Sequence, residues 1–189
     1  MVEANDALSE PTPALRALYR GDRAEGLELL GDKPSVFEAA AFGLTEQLAS
    51  LLSDRRAARL TGPDGFTPLH LAAFFGHADA AQLLVDAGAD LEAEVTNSFL
   101  TAVRPLHSAA AGGFVDCCRV LAAAGGDVNA RQGGGFTPLM AAAASGNIEL
   151  AQVLLGYGAD GAAINDEGKS AATLARENGH HVLAQKLDS

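Results

Sequence analysis

Cys117 and Cys118, His180 and His181, and the run Gly133-Gly134-Gly135 are the residues whose types and spacing come nearest to chemistry in this chain. Adjacent thiolates hold a metal when a second pair completes the ligand set, and the sequence contains no other cysteine. A thiol nucleophile would have to show itself by rapid reaction with an alkylating probe in the native protein. Two neighbouring histidines on a helix point about 100° apart, not at one metal ion. The glycine run lacks the Lys-Ser/Thr that a phosphate loop needs after it, so a flexible turn between structural units is expected there. His70 and His107 remain, but no nucleophile or acid–base pair accompanies them in a way that would converge on a pocket. The expectation is a protein that is not an enzyme and carries no cofactor.

The elements around these residues repeat. Gly43, Gly76, Gly113, Gly146 and Gly179 are separated by steps of 33, 37, 33 and 33 residues, and their surroundings repeat with them. The chain reads FTPLHLAAFFGHADAAQLL over 66–84, VRPLHSAAAGGFVDCCRVL over 103–121, FTPLMAAAASGNIELAQVL over 136–154 and KSAATLARENGHHVLAQKL over 169–187. Proline at the first helical position lacks only an N–H that would have no partner there. Thr67 and Thr137 before it are good N-caps. The pairs Ala72-Ala73, Ala109-Ala110 and Ala142-Ala143 keep the first helix thin, so that neighbouring units approach closely. Leu83-Leu84, Val120-Leu121 and Val153-Leu154-Leu155 supply an apolar stripe to the second helix. Gly88, Gly125 and Gly158 then stand where a helix C-cap prefers a residue without Cβ.

A period near 33 with a TPLH-AA-G core resembles the ankyrin repeat, a β-turn followed by two antiparallel helices, over roughly residues 13–189. The resemblance implies an all-α solenoid of stacked helix-turn-helix units with β-turn fingers. It assigns His70 and His107 a structural hydrogen bond to backbone in neighbouring turns, and Met140 and Thr173 occupy the same position later in the chain. Cys117 and Cys118 align with Ala80-Ala81 and Leu150-Ala151, which face the packed interior, where thiols behave as small hydrophobes. Residues 1–12 are expected to form a loose arm, because the segment from Val2 to Pro13 is acidic and closes with Pro11 and Pro13. Residues 13–189 are expected to form the repeat domain: an N-terminal capping half-repeat, four full repeats and a C-terminal cap. Gly21 lies only 22 residues before Gly43, too short for a complete first repeat with its turn.

The formal charge of −11 argues against nucleic acid, whose binding depends on neutralising phosphates. It favours encounter with a basic protein partner, or serves solubility alone. No apolar run approaches the ~20 residues of a membrane span, and Met1 to Glu10 lack a secretory pattern, so a cytoplasmic protein is expected. Function then reduces to recognition. The family commonly binds through turn tips and the exposed side of the first helix, which implies an unidentified protein partner and a chain that is monomeric when free. The residue before each Thr-Pro position runs Lys33, Phe66, Val103, Phe136, Lys169, an apolar centre with a lysine at either end. Phe66, Val103 and Phe136 are therefore candidate partner contacts, with packing against the neighbouring turn as the alternative for the rings. Phe74 and Phe75 before Gly76 are further candidates. So are Phe99 and Leu100, on the four extra residues that fall within 94–103. The rival reading is a structural or regulatory subunit that buries the same apolar row in a permanent assembly, with itself or another chain.

Overall fold

Four helices of the computed structural model, which describes residues 10–188, open with proline at the first helical position: α1 (Pro13–Tyr19), α5 (Pro68–Phe74), α7 (Pro105–Ala111) and α9 (Pro138–Ser145). Thr12, Thr67 and Thr137 accept a backbone N–H from the third residue of their helices, and Ser35 and Ser170 do so for α3 (Val36–Phe42) and α11 (Ala171–Glu177). The partners that run back antiparallel are α2 (Arg23–Glu28), α4 (Thr45–Leu51), α6 (Ala78–Asp86), α8 (Val115–Ala123), α10 (Ile148–Gly156) and α12 (His181–Leu187). Among the described residues these helices make six pairs, and no sheet is formed.

Helices this short are marginal in water, so packing must hold them. One continuous core runs from Val36 to Ala184. Ala72, Ala73, Ala109, Ala142 and Ala143 are fully enclosed or nearly so in the inner helices, and Leu48, Leu84, Leu121 and Leu154 fill the space behind them from the outer helices. Cys117 and Cys118 lie buried in this core. A second, smaller cluster joins Ala14, Leu15 and Leu18 of α1 to Ala41, Phe42 and Leu71.

The turn glycines do more than reverse the chain. A Cβ built on Gly76 would stand 2.5 Å from the ring of Phe114, the first residue after the next turn glycine. The same relation recurs between Gly43 and His77, Gly113 and Asn147, and Gly146 and His180. Each unit from the third onward thus seats one side chain on the bare backbone of the unit before it. Where α4 lacks a following glycine, a 3-10 turn (Arg55–Arg59) takes over, and Arg59 donates to the Gly88 carbonyl at 2.7 Å.

The N-terminal unit carries two helices, of seven and six residues. Of the expected loose arm, residues 1–9 lie outside the described residues. Thr12 belongs to the folded part, capping α1 and donating its hydroxyl to Glu38 at 2.8 Å.

Candidate functional site

The inner helices and the fingers between pairs make one face of the solenoid, and its fingers are built alike. In each, a backbone N–H reaches the carbonyl four or more residues on: Gly62 to Phe66, Val95 to Val103, Gln132 to Phe136 and Asn165 to Lys169, at 2.8 to 3.0 Å. Neighbouring fingers are tied sideways, because Gly133 N–H donates to the Thr101 carbonyl and Asp166 N–H to that of Gly134.

His70 fixes the base of one finger from below. Its Nδ1 lies 2.8 Å from the Thr67 hydroxyl and accepts the Thr67 N–H, while Nε2 meets the Val103 carbonyl at 3.1 Å. His107 repeats the arrangement with the Arg104 N–H and the Ala130 carbonyl. Burial lowers the pKa of His70 from the ordinary 6.5 to about 4, and lowers those of His107 and His77 as well. The folded state therefore resists a proton that the unfolded chain accepts. Stability is whole above pH 6.5 and declines as pH falls toward 4, by up to about 3 kcal/mol from His70. Met140 fills the corresponding position without titrating, so His70→Met should flatten the dependence of the urea midpoint on pH between 6.5 and 5. An unaltered slope would remove His70 as its source.

The apolar row before the Thr-Pro positions is largely enclosed. Val103 is only 8% exposed, because its backbone pairs with Val95 in both directions and turns the side chain inward. It is not a surface contact, which corrects the expectation for that residue. Phe66 is half-buried, edge-on to His70 at 5.7 Å and packed on the second cluster, and Phe136 is half-buried against the main core. Lys169 is not a bare rim charge, since Glu177 at 2.8 Å and Glu167 at 3.2 Å hold it and raise its pKa.

The apolar surface left open lies elsewhere. Phe74 is 47% exposed at the end of α5 and sits edge-on to Phe75 at 5.0 Å. Phe75 is half-buried and stacks on Tyr19 at 6.0 Å. Tyr19 went unnoticed in the sequence because it falls outside the repeat phase. Phe99 is 95% exposed, yet its tip is ordered: the Asn97 carboxamide accepts the N–H groups of Phe99 and Leu100, and Thr96 accepts that of Ala102, held at φ 53. Leu100 beside it is half-buried.

Burial pushes both thiols up to about 12, so Cys117 and Cys118 hold almost no thiolate at neutral pH. Among the described residues no group of three or more His, Cys, Asp or Glu is placed to hold a metal ion, and no helix is long and apolar enough to cross a membrane. A family model of ankyrin repeats matches the chain in three copies, over residues 7–95, 36–132 and 106–187. Comparison with curated proteins gives no match.

Proposed function

Since the chain belongs to the ankyrin-repeat family, whose repeats typically act as non-enzymatic modules of protein–protein interaction, we propose that it binds a partner protein through its inner face and finger tips. The observation that carries this reading is the pair of exposed rings, Phe74 and Phe99, on backbone that is held in place. Rings presented without much conformational freedom to lose are what interface centres are made of. The partner is basic: the chain's charge of −11 steers such a protein in encounter, and raising salt should slow association while leaving dissociation nearly constant. The buried free thiols suit a reducing compartment such as the cytoplasm.

Affinity capture from the native host, read by mass spectrometry, supplies the partner. Phe74→Ala and Phe99→Ala should then each weaken binding about tenfold or more, with the melting temperature little changed. Phe66→Ala should instead lower the melting temperature and affect binding only through unfolding. Normal affinity in both the Phe74 and the Phe99 variants would reject the surface. The rival, a permanent assembly with itself, is separated by light scattering after size exclusion: the interaction module is monomeric alone.

A further inference from the structure

The first helix pair does not continue the stack. From the second pair onward every turn glycine but the last seats a side chain from the next unit, whereas Gly21 has no heavy atom within 4 Å of where its Cβ would stand. None of the residues of α1 or α2 belongs to the continuous core. In a linear solenoid a unit touches only its neighbours. Here the first pair reaches past the second to the third: the Tyr19 hydroxyl donates to Asp64 at 2.9 Å, its ring stacks on Phe75, and Arg23 lies 3.4 Å from His77 Nε2. Asp64 is in the finger before α5 and Phe75 is at the far end of that helix. Tyr19 therefore spans the inner face between finger and helix, and α1 lies across the units, not behind them. Ala41 and Phe42 are covered as a result, while Ala111 and Gly112, at the same position two units on, are open.

We propose that the inner face of the second and third pairs is a helix-binding groove whose resident occupant is this chain's own α1, and that an amphipathic helix of the same chemistry from a partner displaces it. This rests on the inner face being the recognition surface. The resident defines the chemistry: Ala14, Leu15 and Leu18 on one stripe against Ala41, Phe42 and Leu71, then a phenol on the Asp64 carboxylate. Its anchorage is the buried stripe together with the Thr12 hydroxyl on Glu38 and the Tyr19 hydroxyl on Asp64. The helix has seven residues, and the ion pairs Arg16–Glu10 and Arg20–Glu25 are exposed and within its own unit. Leu27 of α2 and Leu29, which caps it, are 44% and 47% exposed. Arg23 adds a hydrogen bond to the Phe42 carbonyl at 2.8 Å. Such a segment opens before the core does.

The probe is a fluorescent peptide with the sequence of residues 11–30, titrated against the full chain. An attached segment competes at roughly millimolar effective concentration, so the wild type should bind the peptide at least about tenfold more weakly than Leu15→Ala/Leu18→Ala. Adding Phe75→Ala to that variant should abolish the signal. Should the double variant fail to fold, Tyr19→Phe, which removes only the hydroxyl, serves in its place and should bind the peptide more tightly than wild type. Hydrogen exchange of the wild type should show the amides of α1 and α2 opening well before those of α5 to α10. Equal peptide binding by wild type and variants, or exchange of α1 only together with the whole stack, overturns the proposal. The assay contains no partner protein, so its failure leaves the partner reading standing, and loss of partner binding in the Phe74 and Phe99 variants says nothing against the groove.

Discussion

Leu84→Ala is expected to lower stability by ~2–5 kcal/mol, against a total of ~5–15 kcal/mol for a domain of ordinary stability. Leu84 is fully enclosed on α6, in the second of the five helix pairs through which the core runs. Thin, alanine-lined helices on either side leave little that can collapse into the space it vacates. Because each pair is held by its neighbours, the defect lies between the N-terminal and C-terminal units and should separate their unfolding. Urea titration followed by circular dichroism should show a lower midpoint and a broadened transition. A midpoint equal to that of the wild type would refute the placement of Leu84.

Gly76→Ala should cost a similar amount for a different reason. At φ 78 the backbone is left-handed, which burdens any residue with a Cβ by ~1–2 kcal/mol. The new methyl would also stand 2.5 Å from the Phe114 ring, and overpacking of that kind costs a further ~1–3 kcal/mol. Gly125 isolates the first contribution: its φ is 95, but no heavy atom lies within 4 Å of its Cβ position. Gly76→Ala should therefore destabilise by clearly more than Gly125→Ala. Combining Gly76→Ala with Phe114→Ala should recover part of the difference, because contacting sites are not additive. Equal losses at Gly76 and Gly125 would show that the ring yields freely.

Much of this was legible in the residues. Pro68, Pro105 and Pro138 mark helix starts because proline's missing donor and fixed φ suit one position only, and they begin helices in the structure. The alanine pairs of the first helices, and Cys117 and Cys118 at the positions of Ala80 and Ala81, are buried as their phase requires. The finger row was misjudged at Val103 for a reason that phase does not carry. Equivalent positions share a backbone path, but Val103 precedes Arg104, not threonine, and closes a finger lengthened by the extra tip, where it pairs with Val95 twice over. Tyr19 escaped because a repeat pattern identifies residues by their spacing, and the first unit has lost that spacing. Nor does a pattern of nearest-neighbour units contain a contact such as Tyr19 with Asp64, 45 residues apart across an intervening unit.

The side chains seated on the turn glycines give the stack an order that its repetitive sequence conceals. They are a histidine at His77 and at His180, a phenylalanine at Phe114 and an asparagine at Asn147, and the largest is accommodated from two sides, since a Cβ on Gly112 would also strike the Phe114 ring. No other pair has glycine at the place of Gly112: Phe42, Phe75, Ser145 and Asn178 stand there instead. Gly112 belongs to the same pair as Phe114, so the room for the ring is made within the fourth pair itself, and excising that pair would set Asn147 on a surface shaped by a ring. Repeats that look like copies differ in this respect, and the difference lies in the side chain that fills each joint.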